Sequence, residues 1–510
     1  MNNIYVKDII EKFDGELLCG NMDETLENFS KDTRIINKDD VYVGIKGEVF
    51  NGNDFYKDAF DKGAKVCILE KGSNYDIVEG KTIVLVDNSI EILQKLASYK
   101  RSLYDIPVVA ITGSVGKTST KDIISHVLSK KYNVQKTSGN YNNHIGLPMT
   151  ILGLKDHNAL VVEMGMNNLG EINKLSNIAK PTIAVITNIG TAHIGNLGSR
   201  ENILKAKLEI IDGMDKNGVL FINNDNDLLN KYLDDIKRKI NVVTFGINNK
   251  SDYMASNIVD NIFSSDFKIN NINFSIDVAG LPFIYNSLAA YSIGKYLNIS
   301  DNDIKDAIKN FKLTANRMEK ITIRDNITLI NDTYNASYDS VVAAIDLINK
   351  TNNKRKILLL GDILELGSYS KEIHEKIGNY ILNKNIDVVI LVGNEVKYIE
   401  NILKNNNFNN VKRFDKESDT YNFLDDFLSE GDILLIKGSH GINLINVVNY
   451  LRKWNYSLFF VEKIKFFYYN IKKYTIINNF NNIVDKYSMF INISTINNLW
   501  ICVDKYYNSL

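Results

Sequence analysis

The sequence predicts an α/β protein of several domains, built mainly on parallel sheets. Three observations carry that expectation. The chain has 510 residues, more than one hydrophobic core normally organises. Short apolar runs alternate with stretches of helical period, first across 105–315 and again across 316–455, as parallel sheets with crossover helices require. A glycine turn in "VVAITGSVGKTSTKD", residues 108–122, joins a strand-like run to a helix-like one.

Residues 1–104 contain "DVYVGIKG", "AKVCILE" and "KTIVLVD", which read as strands, and close on the helical "EILQKLASYKRSLY". From 105 the order is "PVVAIT" (strand), the glycine turn, "TSTKDIISHVLSKKY" (helix), "ALVVEMGM" (strand), "GEINKLSNIA" (helix) and "TIAVITNIG" (strand). "ENILKAKLEIIDGM" (helix) and "GVLFINND" (strand) follow, and "DNDIKDAIKNFK" reads as the last helix of this unit. "ANRMEKI" reads as a hinge. Beyond it "ITLINDTY", "RKILLLGDI", "VVILVG" and "GDILLIKGSHG" read as strands, with helices "DSVVAAIDLINK" and "SKEIHEKIGNYILN" between them. Residues 456–510 form a tail without Gly, Ala or Pro, rich in Asn and aromatics and poor in periodicity.

Bulk properties exclude several function classes. Hydrophobic residues make up 45% and charged residues 24%, as in soluble globular proteins. Sixty Lys+Arg against 61 Asp+Glu leave a net charge of -1, so no global charge favours nucleic acid or an anionic membrane. The three cysteines, Cys19, Cys67 and Cys502, are scattered. They offer neither metal-ligand spacing nor a disulfide framework, which points to a reducing compartment. No uncharged apolar run approaches the ~18 residues of a membrane helix, and the charged N-terminus does not read as a secretory signal. A cytoplasmic monomer is the expectation.

The glycine turn bears the first chemistry. A strand, a tight turn and a helix start aim backbone N–H groups and the positive end of the helix dipole at an anion. In T-G-x-x-G-K-T, Thr112, Gly113, Ser114, Val115 and Gly116 shape the cradle, ahead of Lys117, Thr118 and Ser119. Lys117 would reach the outer phosphates of ATP, and the Thr118 hydroxyl would ligate Mg²⁺. The familiar G-x-x-x-x-G-K-[ST] loop has a glycine where this chain has Ile111, so a purely structural turn stays open at this point.

Context sharpens the reading. Glu163 ends the strand "ALVVE" and His193 follows the strand "TIAVITNIG". The carboxyl ends of neighbouring parallel strands share one crevice, where both could converge with Thr118 on metal. His126, His157 and His374 lack such a position and read as structural. The loop "SGNYNNHIGLP" gathers Asn140, Asn142, Asn143 and His144 and can face the same crevice. Asp332, Tyr334 and Asn335 follow one strand of the third unit, and Lys437, Ser439 and His440 follow another. Such strand-end clusters in adjacent units suggest a site between them.

Taken together, "TGSVGKTSTKD", "SGNYNNHIGLP", "VVEMGM", "TNIGTAHIGNLGSRENILKAK", "NRME", "NDTYNASYDS", "LLLGDILELG" and "LLIKGSHG" occur in the order found in the Mur ligases. Over roughly residues 20–455 the chain resembles that family, and "NYNNHIGLP" and "GDILELG" point to its dipeptide-adding branch. The resemblance implies a three-domain architecture: 1–104 for the UDP-sugar, 105–315 for ATP, and 316–455 as a Rossmann-like ligase domain. The tail, 456–510, lies beyond it. The family's loop lacks the earlier glycine, so Ile111 does not count against ATP.

The resemblance also implies residue roles. Lys117, His193 and Lys207 would be catalytic, with Lys207 carried as a carbamate; Lys205 stays a solvated-face lysine. Two Mg²⁺ ions would be held by Thr118, Glu163, His193 and Lys207. Asn286, Arg317 and Asp332 would touch the nucleotide. Thr33, Arg34 and Lys46 would meet the UDP-sugar, and Asn140, Asn142, Asn143, His144, Tyr334, Asn335, Lys437 and Ser439 the other substrate groups. The implied reaction is ATP-dependent amide ligation, joining D-Ala-D-Ala to UDP-N-acetylmuramoyl-tripeptide through an acyl phosphate. Rival readings are a sibling ligase adding one amino acid, a folate-type relative, and a silent nucleotide-binding scaffold. The chain departs from the family pattern at "AGLPFI" before Asn286, at Asn316, at Ser337-Tyr338, and at Asn51 and Asn53.

Overall fold

Each apolar run of the first hundred residues becomes a strand of one five-stranded sheet. The strands are β1 (Glu16–Cys19), β2 (Phe29–Ser30), β3 (Val41–Val43), β4 (Val66–Glu70) and β5 (Thr82–Val86), in the order β1-β5-β4-β3-β2. β2 to β5 run parallel, and β1 pairs antiparallel with β5. Helix Ser89–Ser102 follows, its first turn capped by Asn88, whose side chain accepts from Glu91 N. Glu91 sits in that first turn, and Lys100 and Arg101 sit in the last, which complements the helix dipole. The computed structural model describes residues 3–261, 263–313, 316–351 and 355–454, so the aromatic tail lies outside the described residues.

The second sheet has nine strands. They are β6 (Val108–Thr112), β7 (Val134–Lys136), β8 (Ala159–Glu163), β9 (Ile183–Ile186), β10 (Val219–Asn223), β11 (Asn241–Gly246), β12 (Tyr253–Asp260), β13 (Ser265–Ile269) and β14 (Ile272–Ile276). Their order is β14-β13-β12-β11-β10-β9-β6-β8-β7. Every residue of β6, β8, β9 and β10 is buried, as strands covered on both faces must be. Alternate side chains feed two cores: Val108 and Ala110 join one, Val109 and Ile111 the other.

Two parts of this sheet depart from the sequence expectation. β7 to β12 pair in parallel, but β12, β13 and β14 pair antiparallel at the edge. The β13–β14 connection turns on Asn270 and Asn271 at φ 45° and 71°, the left-handed pair of a tight hairpin. Helix Leu281–Tyr296 follows, apolar on almost every side because it packs between the helix Lys117–Leu128 and strands β10 to β12. An all-round apolar helix has no amphipathic stripe to recognise in sequence.

The third sheet holds β15 (Glu319–Ile323), β16 (Ile327–Asp332), β17 (Lys356–Gly361), β18 (Val388–Val392), β19 (Val411–Phe414) and β20 (Ile433–Lys437), ordered β15-β16-β20-β17-β18-β19. From β16 to β19 all pairings are parallel. Asn316 and Met318, at φ 66° and 46°, turn the chain into β15. Residues 1–322 and 326–448, and so nearly all of the three sheets, form one compact unit; 323–325 and 449–454 belong to a second. In that second unit the Arg324 guanidinium lies 3.5 Å from the Trp454 ring centroid.

Candidate active site

β6 is the switch point of the central sheet: β8 lies on one side of it and β9 on the other. A crevice must open above its carboxyl end, and the glycine turn sits there. Gly113 has φ 153°, and a Cβ on it would lie 1.9 Å from Thr187 Oγ1, so only glycine fits. Thr112 Oγ1 donates to Met164 O at 2.9 Å. Ser114 Oγ accepts from Gly190 N at 2.9 Å, and Val115 N donates to Asn188 Oδ1 at 2.9 Å. Thr112, Ser114 and Val115 thus pin the loop to its neighbours, and Gly116 (φ 84°) opens the helix Lys117–Leu128.

Lys117 Nζ donates to the carbonyl of Gly113 at 2.9 Å. Burial pushes its ammonium below the ordinary lysine range, with Arg317 adding to that and Glu163 opposing it. Thr118 Oγ1 donates to Glu163 Oε2 at 2.8 Å and accepts from Arg317 Nη2 at 2.8 Å. The other Glu163 oxygen accepts from Asn142 Nδ2 at 2.8 Å. Residues from β8, from the first turn of the helix Lys117–Leu128, from the loop holding Asn142 and from the approach to β15 therefore meet on one hydroxyl and one carboxylate. Thr120 Oγ1 donates to Asn286 Oδ1 at 2.8 Å, which brings the all-apolar helix's one inward amide beside Gly116. The AGLPFI departure leaves that amide in place.

Lys207 lies in the helix Arg200–Leu208 and is only 1% exposed, while Lys205 is exposed. Burial, with the nearby Lys117 cation, pushes Lys207 well below the ordinary lysine range. No hydrogen bond or ion pair to its Nζ is found among the described residues. His193 has φ 63° and its Nδ1 lies 2.9 Å from Glu365 Oε2. His193 and Lys117 hold the Glu365 carboxyl below the usual range, although more than half of that side chain is exposed.

From the third sheet, Asp332 and Lys437 are register partners on β16 and β20. Lys437 Nζ donates to Asp332 Oδ2 at 2.6 Å and to Asn335 O at 3.0 Å. The Arg317 guanidinium stacks 3.9 Å from the Tyr334 ring centroid. Ser439 Oγ accepts from Leu364 N at 2.9 Å.

These groups line a cleft of about 1060 Å³ that takes in Ser114 to Thr120, Asn142, Asn143, Glu163, His193, Asn286, Arg317, Asp332, Tyr334, Asn335, Lys437 and Ser439. Several expected residues do not line it. Thr112 and Gly113 form the loop's buried root, and Lys207 is buried without lining the cleft. Asn140 and His144 are exposed, and the His144 carbonyl accepts from Gln94 Nε2 at 2.8 Å. Thr33 and Arg34 sit in a short 3₁₀ turn of the first part, where Arg34 pairs with Asp32 at 2.7 Å and holds that carboxyl at about 2. Lys46 is exposed on a bridge to Asn51. His374, read as structural, is buried and accepts from Ile363 N at 3.1 Å.

The sequence departures keep local chemistry. Asn316 adopts the left-handed conformation that asparagine tolerates. Ser337 caps the helix Tyr338–Asn349 by accepting from Ser340 N. Asn53 is 2% exposed and accepts from Glu70 N at 2.8 Å.

Sequence reasoning missed other lining residues. Asp225, just past β10, accepts from the N–H groups of Ile247, Asn248 and Asn249 and from Tyr285 Oη. Burial raises its carboxyl, but these donors outweigh that and hold it low. Asn188, Arg200, Asp339 and Glu365 also line the cleft. The strand-end position of "NND" after β10 was the available signal for Asp225. Glu365 lies inside the "GDILELG" motif, but its spacing there gave it no role.

Among the described residues no three His, Cys, Asp or Glu side chains are grouped to hold a metal. Magnesium needs no such cage: one or two protein oxygens suffice beside nucleotide phosphates and water. The Thr118–Glu163 pair fits that requirement. A second ion would need Lys207 converted to an anion.

A phosphate loop at a switch point, facing cationic and acidic groups from a second parallel sheet, defines a nucleotide-dependent enzyme with its site between two α/β parts. Comparison with known proteins specifies the family. Residues 111–294 match the Mur ligase middle domain and 316–440 the Mur ligase glutamate ligase domain. A UDP-N-acetylmuramoyl-tripeptide–D-alanyl-D-alanine ligase of Bacillus subtilis is 36% identical over 450 residues, covering 87% of this chain and 97% of the relative. The enzyme of that name from Escherichia coli is 30% identical over 401 residues, covering 78% and 87%. A crystal structure of MurF from Acinetobacter baumannii superposes with a TM-score of 0.79 at 26% identity, covering 88% of this chain and 98% of that one. MurF from Thermotoga maritima in complex with ADP gives 0.73 at 28% identity, covering 84% and 98%. The chain belongs to the Mur ligase family.

Proposed function

We propose that this chain is the ATP-dependent, ADP-forming ligase that joins D-alanyl-D-alanine to UDP-N-acetylmuramoyl-tripeptide, completing the pentapeptide precursor of peptidoglycan. The observation that carries this reading is the Arg317–Thr118–Glu163 chain, in which the approach to the third sheet reaches the phosphate loop of the second. Relatives with that activity match the chain along nearly their whole length. The work divides as 1–104 for the UDP-sugar, through Thr33, Arg34 and Lys46, 105–315 for ATP, and 316–455 for the incoming dipeptide. No helix among the described residues is long and apolar enough to cross a membrane. A monomer working in the cytoplasm fits this assignment.

The substrates are anions, so the enzyme must align and neutralise them. The loop N–H groups from Ser114 to Ser119 cradle the phosphates, and Lys117 neutralises the γ-phosphate as the tripeptide carboxylate attacks it. Asn286 faces the adenine end, and Arg317, with Tyr334 beneath it, braces the nucleotide from the third sheet. Asn142 fixes the Glu163 rotamer; Asn140, Asn143 and His144 shape the rim of the loop. The dipeptide amine then attacks the acyl phosphate beside Asn335, Lys437 and Ser439, and phosphate leaves. Thr118, Glu163, His193 and Lys207 would hold two Mg²⁺ ions, whose positive charge would stabilise the transferring phosphoryl group.

Lys207 suits a carbamate. Its unpaired burial favours the neutral amine, which is the form that adds carbon dioxide, and the resulting anion would relieve an uncompensated lysine.

The test is phosphate release from Mg-ATP with the UDP-muramoyl-tripeptide, with and without D-Ala-D-Ala. Release that requires both substrates, with a pentapeptide product by mass, is expected. Release with a single amino acid in place of the dipeptide overturns the assignment in favour of a sibling activity, and no release with any acceptor overturns it altogether.

A further inference from the structure

His193 and Glu365 are brought together by a contact more elaborate than their own. His193 opens a short helix, Ile194–Leu197, from a left-handed backbone (φ 63°), and Glu365 sits at φ 63° as well. Neither is glycine, so both backbones are strained unless tertiary contacts hold them. Those contacts are present. A Cβ on Gly195 would lie 2.6 Å from the Glu365 carbonyl and 2.7 Å from Leu366 C, so the two loops touch through bare backbone. Tyr369 Oη donates to Gly198 O at 2.5 Å. Asp339 Oδ2 accepts from Thr191 N at 3.3 Å. Residues 190–198 of the second sheet's part and residues 339–369 of the third's are thereby locked in register.

Inside this lock, His193 Nδ1 is buried without a well-aligned hydrogen-bond partner, and Glu365 Oε2 lies within ion-pair distance of it at 2.9 Å. An imidazole that ligates metal through one nitrogen commonly has the other fixed by a carboxylate, which sets the tautomer and the ring orientation. Here that carboxylate comes from a different sheet than the histidine.

We infer that Glu365 is the positioning residue for His193, so that the histidine arm of the metal site is set only when the 363–369 loop is docked on the 190–198 loop. This rests on the reading of His193 as a metal ligand given above. It adds that metal affinity and docking of the third sheet's loop are linked: each strengthens the other by the same factor.

The experiment titrates Mn²⁺ into the full-length protein with a methylene-bridged ATP analogue, following free Mn²⁺ by electron paramagnetic resonance, and measures analogue binding without metal in parallel. Glu365→Asn tolerates the left-handed backbone but is one methylene too short to reach Nδ1. Glu365→Gln restores the reach and a hydrogen-bond acceptor. The expected result is a Mn²⁺ affinity lowered about tenfold or more in Glu365→Asn, most of it recovered in Glu365→Gln, with metal-free analogue binding unchanged in both. His193→Ala serves as reference. If it weakens Mn²⁺ binding while Glu365→Asn, folded by circular dichroism, does not, the positioning role is overturned and the ligand reading stands. If His193→Ala binds Mn²⁺ as the parent does, both are overturned.

Discussion

The helix Arg200–Leu208 of the central part and β20 of the third sheet each bury a lysine, and the two lysines are held in opposite ways. Lys437, on β20, is 2% exposed and donates to Asp332 and to a carbonyl. Lys207, in the helix Arg200–Leu208, is 1% exposed, and the Lys117 cation adds to burial in disfavouring its charge. A paired buried charge is part of the scaffold, because its desolvation is offset inside the protein. An unpaired one is a standing cost that folding alone does not explain. The third sheet therefore carries finished architecture to the cleft, whereas the second carries an electrostatic deficit that its ligands would complete.

Substitutions can break that contrast. The largest effect on stability is expected from Lys437→Met, which takes the cation from Asp332 and leaves it only the Met318 N–H. It should cost about 3–5 kcal/mol, the usual penalty for halving a buried pair, read as a lowered midpoint in urea unfolding. A loss below about 1 kcal/mol would show that the pair is not scaffold. Lys117→Ala should lower the rate of phosphate release by a factor on the order of 10²–10³, while binding of the UDP-sugar substrate by calorimetry survives; near-parental turnover would sink the nucleotide assignment.

Lys207→Met sharpens the comparison in the other direction. In bicarbonate-free buffer it should leave stability no lower than the parent's, since Lys207 makes no hydrogen bond or ion pair among the described residues, while ligase activity is lost. Supplying ¹³C-bicarbonate to the parent should yield a carbamate carbon signal that Lys207→Met lacks. Lys205→Ala, two residues away on the exposed face, should change stability by less than about 0.5 kcal/mol and leave the rate alone. A larger effect there would mean that position along the helix, and not burial, separates the two lysines.

The legible part of this site was local. "TGSVGKTST" announced a strand, a turn and a helix, and Glu163 was placed at a strand end by the apolar run before it. The edge hairpin was missed because its strands alternate polar and apolar residues and so lack the apolar runs of the central strands, and because it turns on Asn270-Asn271 and not on glycine. The helix carrying Asn286 was missed because it is apolar all round. Thr33, Arg34 and Lys46 were reachable only by resemblance, since nothing in their own spacing marks a ligand, and they stand apart from the cleft.

The alternation of strands and helices, the phosphate loop and the strand ends from which acidic and basic groups project could all be read along the chain. These follow from periodicity and turn chemistry, which act over a few residues. Packing alone settles which lysine of "KAK" is buried, gives Lys437 a carboxylate and Lys207 none, and brings Glu365 to His193 from 172 positions away along the chain. Desolvation and charge pairing depend on what packs around a group, and those neighbours come from elements distant in sequence.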